Sequence, residues 1–179
     1  MNIFYLNHDT AECAQDHVDK HVVKMPLEYA QLLCTAHRIL DGKQSVVLQN
    51  GRRLKRWTLA DYRENVLYKA THVNHPSAIW VRQSNNNYTW LYSLFVEVCK
   101  EYTYRYDKVH KCETKLKKVL AQCPHSIPVG YFTQPTPAMP VEYSQDAKDS
   151  IDAYRTYYVC DKAHLFDWTK RKEPSWLTQ

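Results

Sequence analysis

Apolar residues recur at steps of three and four over long stretches of this chain, which is the period of an α-helix. The pattern predicts one long helix over residues 10–40, with Asp9 as an N-terminal cap and the pair Asp41-Gly42 as its end. Pro26 is expected to kink or divide this helix near its first third, because proline removes a backbone hydrogen bond.

Three further regions have helical patterns. A second long helix is predicted to begin after Ser84, a typical capping residue, and to continue to about Tyr106. The lysine-rich residues 108–118 extend it or begin another helix. A short helix is predicted over residues 58–68 and a last one over residues 146–168.

The segments between these helices are expected to be irregular. Residues 1–6 favour a short extended segment, residues 43–57 are less regular, and residues 72–76 favour a loop. Residues 124–140 contain five of the eight prolines and are predicted to wrap the body as an extended loop. The predicted fold class is mostly α: a single compact helical domain spanning the whole chain, with a short extended N-terminal segment and a Pro-rich wrapping loop.

Composition excludes several functional classes. The chain has 3 glycines in 179 residues and neither a GxGxxG nor a GxxxxGK[ST] motif, which excludes Rossmann and P-loop nucleotide sites. No apolar run approaches the roughly 20 residues of a membrane span, and the N-terminus lacks the features of a signal peptide. We therefore expect a soluble cytoplasmic protein whose six cysteines are reduced and act as small core residues.

The charge balance is moderately basic. Lys and Arg number 24 against 19 Asp and Glu, so the net charge is +5, which permits a nucleic-acid partner without requiring one. Basic side chains cluster between residues 52 and 56, and others lie at Arg82 and within residues 108–118. Such groups can neutralise phosphates, and the nearby tryptophans and tyrosines could stack on bases.

The first long helix carries the most informative pattern. Polar and ionisable side chains recur along it at steps of three and four, about 100° from the apolar stripe: His17, His21, Lys24, Glu28, Gln31, Thr35 and Arg38. Ionisable groups at the margin of a buried face are partly desolvated. Desolvation shifts their pKa values, and groups with shifted pKa values can act as acids or bases in catalysis. The stripe is therefore a candidate active site.

The histidines offer a second interpretation. A His-Asp doublet with further histidines is found in metal-dependent phosphohydrolases and nucleases, and histidines four residues apart on a helix can share a metal. The candidate ligands are His8, Asp9, His17, His21, His72 and His75. A third interpretation is a non-enzymatic nucleic-acid-binding or inhibitor protein, and the residues alone leave all three open.

Residues 19–28, with the sequence DKHVVKMPLE, resemble the opening helix of the phage pyrimidine-dimer DNA glycosylase/AP lyase family, often called endonuclease V of T-even phages. That helix carries an Asp-x-His motif and a catalytic glutamate seven residues after the histidine, which is the spacing of His21 and Glu28. The turn Pro174-Ser175-Trp176 resembles a Pro-Thr-Trp-like turn in the family's tail. Asn74-His75-Pro76 resembles an Asn-His-Pro motif of bacterial members of the broader family.

The resemblance implies a helical fold and an N-terminal α-amine that attacks the anomeric carbon of the sugar. The base departs, an imine forms, and elimination can nick the strand. By the same resemblance Glu28 takes the role of the carboxylate and His21 that of its polar neighbour. Met1 is expected to supply the amine, since Asn2 is a poor context for removal of the initiator methionine.

The sequence differs from the family at a residue that contacts a DNA phosphate. The arginine that immediately precedes the family's glutamate is Leu27 here, so that contact is expected from Lys24 or Arg82.

These observations predict a DNA base-processing enzyme, a glycosylase with or without AP lyase activity, that acts on a damaged or modified base in duplex DNA. We expect no cofactor, no bound metal, no membrane association and no obligatory protein partner. The resemblance implies a phage-encoded protein of the host cytoplasm or nucleoid. The expected substrate-binding residues are Lys24, His17, Arg38, His72, His75, Arg82, Arg52, Arg53 and Arg56.

Overall fold

The computed structural model describes residues 1–178 and is mostly helical, as the sequence pattern predicts. The α-helices are α1 (Thr10–Asp16), α2 (Asp19–Asp41), α3 (Arg63–Val66), α4 (Pro76–Val81), α5 (Asn85–Tyr106), α6 (Lys111–Leu120) and α7 (Ser150–Asp161). Two strands, β1 (Lys43–Gln49) and β2 (Arg52–Thr58), pair antiparallel. Short 3-10 turns occupy Val141–Tyr143, Ala163–Leu165 and Ser175–Thr178.

The core lies where α2 packs against α5, and this contact is the most extensive between any two helices in residues 1–178. The extended N-terminal segment is part of this core, because residues 3–6 are at most 5% exposed. Phe4 stacks on His21 of α2 with the ring centroids 4.2 Å apart. The burial of residues 3–6 therefore holds Met1 against the middle of α2.

The first helical pattern is broken at His17 and Val18, both of which are extended, whereas the helix continues through Pro26. The prediction that Pro26 divides the helix is therefore wrong. Arg105 of α5 is buried at this break and donates to the carbonyl oxygens of Gln15 and His17 and to the Asp19 carboxylate. Its guanidinium thus satisfies carbonyl groups at the end of α1 and before α2 that would otherwise lack a partner.

Residues 43–58 form a regular hairpin instead of the irregular segment expected from the sequence. Asn50 and Gly51 form its turn with φ values of 49° and 73°, the left-handed pair that a tight type I′ hairpin requires. The Asn-Gly pair beside the run SVVL was the sequence signal for this hairpin. Because β2 extends to Thr58, the short helix expected over residues 58–68 is confined to α3.

Several helix ends agree with the sequence pattern. The side chains of Asp9 and Ser84 cap α1 and α5, and Gly42 follows α2. A Cβ atom on Gly42 would lie 2.4 Å from the Arg38 carbonyl oxygen, so only glycine fits there. The lysine-rich stretch forms a separate helix, α6, and the last helix is confined to α7. Within residues 1–178 no helix is long and apolar enough to cross a membrane.

The Pro-rich loop lies against α4 and α5, and Thr133 is its main anchor. The side chain of Asn87 accepts from the Thr133 backbone N–H, and the Trp80 indole N–H donates to the Thr133 carbonyl oxygen. All six cysteines are free thiols; Cys13, Cys34, Cys99 and Cys112 are buried.

Candidate active site

The N-terminal amine lies beside the carboxylate of Glu28. The Met1 nitrogen is 3.9 Å from Glu28 Oε2, and Lys24 Nζ is 3.0 Å from Glu28 Oε1. The Glu28 side chain is 13% exposed, while Lys24, one helical turn earlier, is 65% exposed. A partly desolvated carboxylate is thus held between two amines, one on each of its oxygens.

These groups line an open cavity of about 340 Å³. Phe4 and Leu165 contribute apolar walls, and three lysines surround the space: Lys20, Lys24 and Lys162. The other lining residues are Met1, Asn2, His21, Glu28 and Tyr157. A cavity that combines an amine, a carboxylate and a rim of cations can accept an anionic sugar phosphate and transfer protons to or from it.

His21 lines the same cavity and is nearly buried. Its Nδ1 shares a hydrogen bond with the Tyr158 hydroxyl. Burial, with smaller contributions from His17, Lys24 and Lys162, lowers the pKa of His21 to about 3. The imidazole is therefore neutral near pH 7, and it acts as a hydrogen-bonding group rather than as a cation.

His17 is completely buried, so it cannot contact DNA as we expected from the sequence. Its Nδ1 donates to the Cys13 carbonyl oxygen, and its Nε2 accepts from the Tyr29 hydroxyl. Burial lowers the pKa of His17 to about 4, which is consistent with this neutral tautomer. His17 is an internal residue that joins the end of α1 to α2.

Arg38 has no exposed surface either, so its expected role in DNA binding is also wrong. The guanidinium pairs with Glu64 at 2.6 Å and donates to four carbonyl oxygens, those of Trp57, Glu64, Leu67 and Tyr68. All its hydrogen-bonding capacity toward a phosphate is thus used inside the protein, where it organises residues 57–68.

The segment from residue 72 to residue 75 does not line the cavity, but the charges of the Met1 amine and Glu28 act on His75. The imidazole of His75 caps α4 by accepting from the Ser77 N–H, and His72 is exposed with a φ of 49°. Burial lowers the pKa of His75; the charges of the Met1 amine and His72 lower it further, and that of Glu28 opposes them. His75 therefore lies within electrostatic range of the amine and the carboxylate.

The remaining arginines divide between internal and exposed positions. Arg82 is partly buried and donates to the carbonyl oxygens of Val73 and Ala78, so it shapes the 72–76 loop. Arg52, Arg53 and Arg56 lie on the hairpin and do not line the cavity. Among the basic residues expected to bind substrate, the structure brings only Lys24 to the amine and the carboxylate.

The histidines and Asp9 of the metal interpretation are dispersed. His8 bonds to Tyr5, and Asp9 caps α1. Across the described part of the chain, no group of three His, Cys, Asp or Glu side chains is placed to hold a metal ion. The donor set thus gives no geometric support to a metal-dependent phosphohydrolase.

Sequence reasoning missed Lys20, Tyr157 and Lys162 of the cavity. Lys20 lies one helical turn before Lys24, so the helical period could have indicated it. Tyr157 and Lys162 come from the far end of the chain, and no local pattern connects them to α2; the Lys162 ammonium lies over the Tyr157 ring at 4.7 Å.

No model of a known protein family matches the chain, and no curated protein or solved structure matches it either. The family resemblance of residues 19–28 therefore stays a prediction.

Proposed function

We propose that this protein is a DNA glycosylase that removes a damaged or modified base from duplex DNA, with the Met1 α-amine as nucleophile and Glu28 as the proton-transferring carboxylate. The observation that carries the proposal is the 3.9 Å approach of the Met1 nitrogen to Glu28 Oε2 within an open cavity. The two groups are 27 positions apart in sequence, and only the burial of residues 3–6 brings them together.

The chemistry needs an amine that is partly unprotonated and a carboxylate that can accept and return protons. As a class, α-amines are less basic than lysine amines, so the α-amine is the better nucleophile of the two near neutral pH. Its lone pair attacks C1′ of the deoxyribose, the glycosidic bond breaks, and the base leaves with the bonding electrons and takes up a proton. The nitrogen then loses one proton, and its lone pair forms a C=N bond as the C1′–O4′ bond breaks. O4′ takes up a proton as the sugar ring opens, which leaves a protonated imine at C1′.

Glu28 supports two stages of this sequence. Its negative charge stabilises the cationic sugar as the base departs, and either oxygen can relay the protons released by the amine. Removal of a proton from C2′ by a base then breaks the C3′–O bond, which gives AP lyase activity. The lysines at the cavity rim neutralise the flanking phosphates, and the neutral His21 offers a hydrogen bond without adding charge.

Borohydride trapping tests the nucleophile directly. The protein is incubated with duplex DNA that contains an abasic site, reduced, digested and analysed by mass spectrometry, which also identifies the residue that bears the α-amine. The result expected is a reduced adduct on that amine. Protein whose N-terminus is acetylated, with its lysines left free, is the matched control and should form no adduct.

The competing outcomes are distinct because three lysine amines share the cavity. An adduct on Lys20, Lys24 or Lys162 would support AP lyase activity but would overturn the role of Met1 as the nucleophile. Base release from a damaged duplex without any adduct would assign the attack to water activated by Glu28. If the protein released no base from any duplex in a panel of damaged duplexes and also formed no adduct, the proposed function would be overturned.

A further inference from the structure

The hairpin β1–β2 projects from the helical body. Nearly all of its residues are exposed or half-buried, and its contacts with the body are concentrated at α2. The exposed side chains include Leu48, at 75% exposure, and Val46, at 51%. An isolated two-stranded ribbon gains little stability from its own packing. Because the helical body leaves both faces of this hairpin largely uncovered, both faces are open to a ligand.

The hairpin also carries the whole net charge of the protein. Its basic residues are Lys43, Arg52, Arg53, Lys55 and Arg56, and residues 42–60 contain no acidic side chain. Since the chain has a net charge of +5, its other basic residues are matched by its acidic ones. Among residues 1–178 none of these five cations forms an ion pair, and only Arg56 has a side-chain partner, the Gln49 amide at 2.9 Å.

The register of the strands distributes this charge over both faces. Residues that are directly opposite share a face, so Gln49 with Arg52 and Ser45 with Arg56 lie on one side. Leu48 with Arg53 and Val46 with Lys55 lie on the other side. One face therefore carries Arg52 and Arg56, with Lys43 at its base, and the other carries Arg53 and Lys55. A ribbon that lies flat on a single surface would instead have its cations on one face.

We propose that the hairpin enters the major groove of duplex DNA with its turn first, so that each face meets the phosphates of one strand. The inference rests on the proposed function for the identity of the polymer. The major groove is about 12 Å wide and 8.5 Å deep and admits a two-stranded ribbon, and that depth takes the last two or three residues of each strand. Gln49 and Arg52 then reach base edges, while Lys55 and Arg56 face phosphates.

The base of the hairpin is fixed to the helix that carries the proposed catalytic carboxylate. Arg38 of α2 donates to the Trp57 carbonyl oxygen at 2.9 Å, and a Cβ atom on Gly42 would lie 3.2 Å from Trp57 Cβ. Glu28 and Arg38 are ten residues apart, which is about 15 Å along the helix axis. We therefore expect the hairpin to contact DNA on one side of the processed base. With α2 parallel to the duplex axis, about 15 Å corresponds to about four base pairs at about 3.4 Å per base pair.

Salt-dependent binding tests this inference. The probe is a 30-base-pair duplex with an uncleavable abasic-site analogue, so binding is measured without catalysis. The variant R52Q/R53Q/K55Q/R56Q should bind about tenfold or more weakly near 0.15 M salt, with a log–log salt slope lower by about 0.9 for each phosphate that is no longer neutralised. Four exposed lysines elsewhere, in the variant K100Q/K148Q/K170Q/K172Q, give the control with equal charge change and should alter the slope by less than one.

Two half-variants test the orientation. R52Q/R56Q removes two cations from one face, which keeps Lys43 at the base of the hairpin, and R53Q/K55Q removes both cations from the other face. Entry with the turn first predicts that both variants lower the slope by similar amounts. A slope that depends on one face only would overturn this orientation. Hydroxyl-radical footprinting should show protection on one side of the abasic site that is absent with the four-fold hairpin variant.

The remaining outcomes separate the inference from the proposed function. An unchanged slope and footprint with successful borohydride trapping would overturn the hairpin's role alone. A hairpin-dependent slope without trapping or base release would overturn the proposed function alone. Light scattering gives a further outcome. If the wild-type protein were a dimer, the four-fold hairpin variant a monomer and the salt slope unchanged, the ribbon would pair with a second copy of the chain. That result would overturn the groove assignment.

Discussion

Two positions of one polar stripe on α2 have opposite environments. Near the middle of the helix, Glu28 faces an open cavity beside the Met1 amine and the largely exposed side chain of Lys24. Near the end of the helix, Arg38 is completely buried and donates to four backbone carbonyl oxygens and to Glu64. Polar side chains at helical spacing thus face an open cavity at one position and stabilise tertiary structure at the other.

The difference shows what a functional site requires beyond polarity. Arg38 has its hydrogen bonds satisfied by the protein, so nothing remains for a ligand. Glu28 is mostly buried and lies 3.9 Å from the Met1 nitrogen, but it retains an accessible side that lines the cavity. The predictions below test this division from the largest expected effect to the smallest.

Replacing Glu28 with Gln should abolish most base release, with a rate lower by about 10²- to 10⁴-fold, because the amide carries no charge and relays no proton. The melting temperature should change little, since the exposed pair with Lys24 contributes only a few tenths of a kcal/mol. Single-turnover kinetics on a damaged duplex and thermal denaturation measure the two effects. The variant should still be trapped at a preformed abasic site; base release within about twofold of wild type would contradict the role of Glu28.

Replacing Arg38 with Met should instead lower the free energy of unfolding by about 3 to 5 kcal/mol, because the change leaves Glu64 and buried carbonyls without a partner. Urea denaturation measures the decrease in stability. Gln31→Ala, a half-buried position of the same stripe, is the control and should change stability by about 1 kcal/mol or less. A stable Arg38→Met protein with weakened DNA binding would return Arg38 to the substrate-binding set.

Acid should destabilise the fold before any carboxylate pair is broken. The folded-state pKa values of His17, His21 and His37 are lowered by burial to about 4, 3 and 4, so the unfolded chain takes up protons below pH 6.5 and the folded protein does not. Stability present above pH 6.5 is therefore lost as the pH falls toward 4. Burial raises the pKa of Asp16 to about 6, which has the opposite sign and offsets part of the loss.

Urea denaturation at pH 7 and pH 5 measures this dependence, and the free energy of unfolding should be lower at pH 5 by about 4 kcal/mol, because each of the three histidines costs about 2 kcal/mol and Asp16 returns about 1 kcal/mol. Asp16→Asn removes the offsetting group and should steepen the decline. A flat profile between pH 7 and pH 5 would show that the three histidines are accessible to protons in the folded state.

Lys24→Gln should have the smallest effect on stability, at most about 0.5 kcal/mol, because the lysine is largely exposed. The same change should weaken binding to duplex DNA if Lys24 supplies the phosphate contact that Leu27 cannot. Urea denaturation and binding anisotropy measure the two quantities. A decrease in stability above about 1 kcal/mol would place Lys24 with the structural end of the stripe.

The amino-acid sequence by itself determined the helical class, the caps at Asp9 and Ser84, and the spacing that groups His21, Lys24 and Glu28. These are local properties, since helical period and capping depend on residues within a turn or two. The hairpin turn at Asn50-Gly51 was equally local and could have been predicted from the same information.

Tertiary structure alone decided which polar residues are accessible. The carbonyl groups at the break in the first helix are satisfied by Arg105, and the buried Arg38 is satisfied by the carbonyl groups of residues 57–68, both from distant parts of the chain. The cavity likewise needs the buried N-terminal segment and Lys162 from beyond α7. Helical spacing specifies direction around an axis but not what packs there, because packing is set by contacts between residues far apart in sequence.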